Sequence, residues 1–184
     1  MIRCTVGMPS RPRSLLLGVL AVELIFGLLP AAARAAPSTD SLVGYWKLDE
    51  TSGTTAADSS GDGNGATYGA GTAAPTQSTT VPTTTYSNPR SLQFDGSNDY
   101  IEVSDNSNLE GGTTKTITAW IRADTVSGIK MIVEKGNSSI YFIAVCDNKI
   151  GVLVKDTAAA TNEFEGTTTL LSANTWYHVA VTYD

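Results

Sequence analysis

Three observations predict an all-β fold of sandwich or barrel type. Beyond residue 36, helical periodicity is almost absent, and the apolar residues come in short runs, several of them alternating. Each run is closed by Gly, Asn, Asp or Ser, the residues that turn a chain between strands.

Leu42 to Leu48 (LVGYWKL) is expected to be the first strand, followed by a polar Gly/Ser/Asp/Thr loop over 50–66 and a short strand from Ala66 to Ala70. Residues 71–89 are rich in Thr, Pro and Ser and have little to bury. They are read as an extended surface loop rather than a linker, because neither flank is a domain on its own. Ser91 to Phe94 and Tyr100 to Val103 are strands about the Asp95-Gly96-Ser97-Asn98 turn. Thr116 to Arg122 alternates, with Ile117, Ala119 and Ile121 on one face and Thr118, Trp120 and Arg122 on the other. Ile129 to Glu134, Ile140 to Cys146 and Ile150 to Lys155 form a meander turned by Lys135-Gly136-Asn137-Ser138 and Asp147-Asn148-Lys149. Glu163 to Leu171 and Trp176 to Tyr183 complete the strands, the last with Tyr177, Val179, Val181 and Tyr183 on one face. Tyr183-Asp184 reads as a strand entering a turn with no pairing strand after it, so the fold is expected to be truncated at its C-terminus, a fragment of a longer chain.

Residues 1–35 stand apart from this pattern. Arg3, Arg11 and Arg13 precede an apolar run from Leu15 to Leu29, then Pro30 and Ala31-Ala32-Ala33-Arg34-Ala35, the order of a secretory signal peptide cleaved near Ala35. A retained anchor is the rival reading. The run is short against the roughly 20 apolar residues of a bilayer span, and Glu23 interrupts it. The expected domain is residues 36–184, secreted or held at the cell surface, with no membrane insertion after cleavage. The leader takes Arg3, Arg11, Arg13, Arg34 and Glu23 from the 12 Lys+Arg and 18 Asp+Glu, which leaves 8 against 17 and a net charge near −9. That excess argues against nucleic acid and anionic membrane as partners, since both need a basic patch. Cys4 leaves with the leader, so Cys146 has no internal disulfide partner and reads as a buried thiol.

Four blocks in order carry a family resemblance: Gly44-Tyr45-Trp46-Lys47-Leu48-Asp49-Glu50, Asp58-Ser59-Ser60-Gly61-Asp62-Gly63-Asn64-Gly65, Leu92-Gln93-Phe94-Asp95-Gly96-Ser97-Asn98-Asp99-Tyr100-Ile101, and Trp176-Tyr177-His178-Val179-Ala180-Val181-Thr182-Tyr183-Asp184. With the Ile117-Thr118-Ala119-Trp120-Ile121 strand they resemble the laminin G-like jelly roll of the concanavalin A-like lectin/glucanase superfamily, over about residues 41–184. The resemblance implies an antiparallel two-sheet jelly-roll sandwich, often with a Ca²⁺ site, that binds sugars or protein partners as one module of a larger secreted protein.

Asp58-Ser59-Ser60-Gly61-Asp62-Gly63 is the sharpest local motif. Oxygen side chains at alternate positions before a Gly turn suit a hard cation. The twelfth position is Gly69 where an EF-hand needs a bidentate Glu, so an EF-hand is set aside. Two readings stand: a jelly-roll Ca²⁺ site of Asp58, Asp62 and Asn64 with loop carbonyls, or a solvated Gly/Asp turn. Asp49 and Glu50 nearby read as surface carboxylates, and Asp95 and Asp99 as turn-formers that bond local N–H groups.

No catalytic set emerges. Glu163 and Glu165 share a strand face, as the paired carboxylates of a retaining glycosidase do at roughly 5 Å. The glucanase branch, however, carries Glu-x-Asp-x-x-Glu, and here the run is Glu163-Phe164-Glu165-Gly166-Thr167-Thr168. His178, the single histidine, has no nucleophile in its motif. Trp46, Trp120 and Trp176, with Tyr45, Tyr100, Tyr141, Tyr177 and Tyr183, fall in strand runs where rings are ordinarily core, so no ligand-binding residue is assigned. Asn137-Ser138-Ser139 is an N-glycosylation sequon. The expected function is a non-catalytic extracellular recognition module for a glycan or an extracellular protein, with Ca²⁺ as its cofactor on the metal reading. The alternatives are a passive adhesion or spacer module and a fragment of a glycoside hydrolase-type enzyme.

Overall fold

The computed structural model describes residues 42–110, 114–136, 141–155, 161–165 and 171–183, with the backbone alone for residues 155 and 161–165. The leader, Cys4 and the sequon lie outside the described residues. The regular structure of the described chain is β-strand apart from two single 3₁₀ turns, and the chain forms two compact units, within 24–111 and 112–184. The antiparallel, open-sheet character agrees with a jelly-roll sandwich.

In the first unit, β1 (Thr55–Ala56), β2 (Ala66–Tyr68) and β5 (Ile101–Val103) pair antiparallel in the order β1-β2-β5, and β3 (Thr76–Ser78) pairs with β4 (Ser91–Gln93). The core is small: Ala56, Ala66 and Tyr68 are buried, with Trp46, Leu48, Leu92, Ile101 and Val103 packed half-buried around them. Thr55–Ala56 and Thr76–Ser78 fall where unbroken loops were expected. Both strands are polar or small-residue segments whose pairing is mostly backbone, so no hydrophobic pattern marked them.

The expected strand from Leu42 to Leu48 is not one. It makes a single antiparallel bridge, Trp46 to Asp58. Side chains take over the work of a ladder: Tyr45 N–H donates to Asp58 Oδ1 at 2.9 Å, and the Val43 carbonyl accepts from Asn64 Nδ2. Leu48 then leaves extended geometry altogether, with φ at +57°, a conformation an L residue holds only at a cost. Gly44 completes the arrangement, because the Trp46 indole lies where a Cβ would stand.

The second unit is a two-layer sandwich. One sheet has the order β10-β9-β8-β7, from β7 (Ile129–Lys135), β8 (Tyr141–Cys146), β9 (Lys149–Lys155) and β10 (Thr161–Glu165). The other pairs β6 (Lys115–Arg122) with β11 (Trp176–Tyr183) along their full lengths. Strand β8 is buried on both faces. Tyr141 and Ile143 join Val152, Val154 and Val181 in the inter-sheet core, while Phe142, Ala144 and Cys146 cluster with Leu153 on the opposite face. Each fully buried aliphatic side chain here contributes about 1.5–3 kcal/mol. The β8–β9 hairpin closes through Asp147 and Asn148, with φ at +44° and +63°, the positive pair that a two-residue type I′ turn requires. A bulge at Ile132 lets both Ile132 and Val133 pack against the core.

Candidate functional site

Two places in the described structure gather chemistry: the loop that follows β1, and the outer face of the β6–β11 sheet.

In the loop, Asp58 is the hub. Its Oδ1 accepts from the N–H groups of Tyr45 and Ser60, both at 2.9 Å, and its Oδ2 accepts from Ser60 Oγ at 2.7 Å and Asn64 N–H at 2.9 Å. Partial burial pushes this carboxyl up. The donors from Ser60, Tyr45 and Asn64 outweigh it and hold the pKa down at about 2. Asn64 is 2 % exposed and fully engaged. Its Nδ2 donates to the Val43 carbonyl and, at 3.2 Å, to Asn108 Oδ1. Its Oδ1 accepts from Asn106 Nδ2 at 2.7 Å, and its carbonyl accepts from Trp46 Nε1 at 2.7 Å. Asn106 caps the Ser107–Leu109 turn by accepting from Asn108 N–H at 3.3 Å. Asp62, exposed at the rim, accepts from Asn108 Nδ2 at 3.2 Å.

The structure therefore brings Asp58, Asp62 and Asn64 into one network and adds Asn106 and Asn108. Sequence reasoning missed those two, because more than 40 positions separate them from Asn64. As folded, the residues do not fit Ca²⁺. The lone pairs of Asp58 serve four N–H and O–H donors, the amide oxygen of Asn64 serves Asn106, and no group of three His, Cys, Asp or Glu side chains stands together among the described residues. The network clasps the 43–46 segment and the 106–108 turn onto the loop.

The nearby carboxylates are also structural. Glu50 accepts from Ala57 N–H at 2.8 Å and from the Tyr68 hydroxyl at 3.3 Å, and burial together with the Glu50 charge pushes the Tyr68 pKa up to about 12. Asp95 accepts from the N–H groups of Ser97 and Asn98, which hold its carboxyl below the usual range, and Asp99 Oδ2 accepts from Asp95 N–H at 2.7 Å. This is the turn-forming role expected of both.

The β6–β11 sheet presents a different surface. Strand alternation turns Ile117, Val179 and Val181 inward and leaves Thr116, Thr118, Trp120, His178, Ala180 and Thr182 exposed. The register sets Trp120 opposite His178, Thr118 opposite Ala180 and Thr116 opposite Thr182. The Trp120 and His178 rings meet with centroids 5.2 Å apart and planes tilted by 48°, and the two threonine hydroxyls lie 3.1 Å apart. Trp120 is 39 % exposed, so it is not the core ring that its place in a strand suggested. Tyr45 and Tyr100 are likewise exposed. Arg122 ends the face, donating to Asp124 Oδ1 at 3.1 Å, to Asn174 Oδ1 at 2.8 Å and to the Asn174 carbonyl at 3.3 Å. Opposite it, Trp176 Nε1 is shielded from solvent and lacks an acceptor among the described residues. Glu163 and Glu165 lie in β10, and their side chains are outside the description.

The family model described as the concanavalin A-like lectin/glucanases superfamily, of laminin G type, matches residues 95–184. The matched segment includes the whole β6–β11 sheet. No curated protein and no solved structure gives a match.

Proposed function

From the premise that residues 95–184 carry a laminin G-like domain of the concanavalin A-like superfamily, we propose that the chain is an extracellular recognition module that holds a carbohydrate or protein ligand without transforming it. The match carries the reading, since the family supports a carbohydrate- or protein-binding module in general. Two further features support it. The sandwich presents a polar, aromatic-bearing outer face at β6–β11, and the single histidine sits on that face with its ring tilted against an indole. The extracellular setting rests on the leader-like residues 1–35 and on the habit of the family. Among the described residues, no helix is long and apolar enough to cross a membrane.

The test is a binding screen of the full chain on a glycan array and on a panel of extracellular matrix proteins, with reducing-end release measured on every glycan bound. Saturable binding to either panel with no release of reducing ends is expected. Release of reducing ends would make the chain an enzyme and overturn the reading. Absence of binding on both panels would leave a passive spacer in its place.

A further inference from the structure

We infer that Asn64–Gly65 is a spontaneous deamidation site that the Asp58 clasp holds shut, so that opening of the first unit lets Asn64 convert to aspartate or isoaspartate and keeps the clasp from closing again. The reaction is independent of ligand binding and needs no partner but water.

The sequence supplies the reacting pair. In the deamidation of an asparagine, the backbone nitrogen of the next residue attacks the side-chain Cγ. The N–Cγ bond forms and the Cγ–Nδ2 bond breaks, while solvent carries the amide proton to Nδ2, which leaves as ammonia. Water then opens the five-membered succinimide at one of its two carbonyls, giving aspartate or isoaspartate. The sum is amide plus water to acid plus ammonia. A side chain on the next residue obstructs the attack and narrows the backbone angles it can use, so glycine is the favoured neighbour. Of the asparagines in the chain, only Asn64 precedes a glycine.

The fold withholds the electrophile. Gly65 is exposed, but Asn64 beside it is 2 % exposed. Both ends of the Asn64 amide are held: Nδ2 donates to the Val43 carbonyl and to Asn108 Oδ1, and Oδ1 accepts from Asn106 Nδ2 at 2.7 Å. The backbone is fixed as well, with the Asn64 N–H donated to Asp58 Oδ2 at 2.9 Å and its carbonyl accepting from Trp46 Nε1 at 2.7 Å. Cγ cannot swing to the Gly65 nitrogen without releasing these bonds, and the solvent that must carry the proton and open the ring is kept from the amide while they hold. Reaction therefore runs through the open loop, whose population the clasp sets. The core beneath is small, with Ala56, Ala66 and Tyr68 at its centre, so these polar bonds carry a large share of what keeps the loop closed.

The product cannot rebuild the clasp. An acid at this position sets an oxygen against the Val43 carbonyl, which has no proton to offer, and places a second charge beside the Asp58 carboxylate. Isoaspartate goes further. It runs the main chain through Cγ and leaves the carbonyl that Trp46 serves in a free carboxylate. It also lengthens the chain by one carbon two residues before Ala66, whose pairing with Ala56 belongs to the β1–β2 ladder.

The full chain is incubated at neutral pH in native buffer and in urea, and conversion at each asparagine is followed by peptide mapping that separates aspartate from isoaspartate. Gly65→Ala blocks the chemistry without disturbing the loop, because a Cβ there meets nothing nearer than the Ala56 carbonyl at 3.8 Å and the Gly65 backbone lies outside the left-handed region. In urea, Asn64 should convert faster than any other asparagine, and Gly65→Ala should slow it on the order of tenfold. In native buffer the wild type should convert at Asn64 more slowly than in urea by on the order of tenfold or more, and Asp58→Asn should recover much of that difference while its rate in urea stays that of the wild type. If Asp58→Asn does not fold, Asn106→Ala, which frees Oδ1 of the Asn64 amide, decides in its place. Wild type converted in urea and returned to native buffer should show fast amide exchange at Tyr45 and Ser60. No preference for Asn64 in urea would overturn the site. Equal rates in the two buffers, or a folded variant that keeps the native rate, would overturn control by the clasp. Restored protection at Tyr45 and Ser60 in the converted chain would overturn the failure to reclose.

Discussion

Replacing Asp58 by Asn keeps the shape of the side chain and removes its charge. In the native loop four donors converge on the carboxylate, two at each oxygen. An amide can accept at only one side. Its NH₂ must then face either the N–H groups of Tyr45 and Ser60, or the N–H of Asn64 and the Ser60 hydroxyl. The hydroxyl can turn to accept, but a backbone N–H cannot, so at least one donor is orphaned at about 1–3 kcal/mol. The charge adds a term that depends on pH. The folded pKa is about 2 against 3.8 for the free group, so the ionised carboxylate stabilises the fold fully above pH 3.8 and loses that contribution as pH falls toward 2. The shift corresponds to about 1–2 kcal/mol once solvent screening of this half-buried group is allowed for. Urea unfolding of wild type and Asp58→Asn at steps from pH 7 to pH 2, with amide exchange at Tyr45, Ser60 and Asn64, reads both parts. The stability gap should be widest at pH 7 and narrow by about 1–2 kcal/mol on acidification, with exchange at those amides accelerated in the variant. Parallel pH profiles, or unchanged exchange at all three amides, would refute the clasp.

Two further expectations follow from packing and from the donor count. A Cβ on Gly151 would stand 2.6 Å from Cys146 Sγ within the buried β8–β9 pair, so Gly151→Ala should cost about 1–3 kcal/mol by overpacking. Adding Cys146→Ala should recover part of that loss, a coupling that a double-mutant cycle of thermal unfolding measures directly. Because the Asp58 and Asn64 oxygens already serve protein donors, the midpoint should be the same in calcium and in chelator, and Asp62→Ala should leave it so. A calcium-dependent rise that Asp62→Ala abolishes would restore a metal to this loop.

The second unit was far more legible than the first. From Thr116 to Tyr183 the strands announce themselves through β-branched and aromatic residues in runs or strict alternation, and β6, β8, β9 and β11 fall within a residue or so of their expected bounds. The Asp147-Asn148 turn was equally plain, since those residue types tolerate positive φ. Between 42 and 110 the pattern found β2, β4 and β5 within Ala66 to Ala70, Ser91 to Phe94 and Tyr100 to Val103, but it misled elsewhere. Leu42 to Leu48 has the composition of a strand, but beyond one bridge to Asp58 and the Ser59 N–H donated to the Tyr45 carbonyl, it is held by the Asp58 and Asn64 side chains rather than by a backbone ladder. Conversely, β1 and β3 are held by backbone ladders that leave almost no trace in Thr55–Ala56 or Thr76–Ser78. The candidate site divides the same way. Asp58, Asp62 and Asn64 stood out as oxygen-bearing residues at turn spacing, and they do assemble. Their role depends on which donors reach them, and Asn106 and Asn108 arrive from far along the chain. Trp120 was placed on the correct face by alternation, yet its exposure depends on what covers that face, which no pattern within one strand encodes.

The two units also differ in what acid should do to them. The second is held by inter-sheet aliphatic contacts, with Tyr141, Ile143, Val152, Val154 and Val181 at the centre, and burial of that kind does not titrate. The first has a smaller core of Ala56, Ala66 and Tyr68, and it relies on one ionised side chain to tie the 43–46 segment to the loop after β1. Small cores have less to offset the entropy of ordering loops, so a polar clasp there accounts for a larger share of local stability. Exchange in the Asp58 experiment should therefore separate by position. The amides of Tyr45, Ser60 and Asn64 should lose protection as pH falls toward 2, while those of β8 and β9 hold theirs. Equal loss in both regions would mean that the clasp and the sandwich unfold as one cooperative unit, and that Asp58 stabilises residues it does not touch.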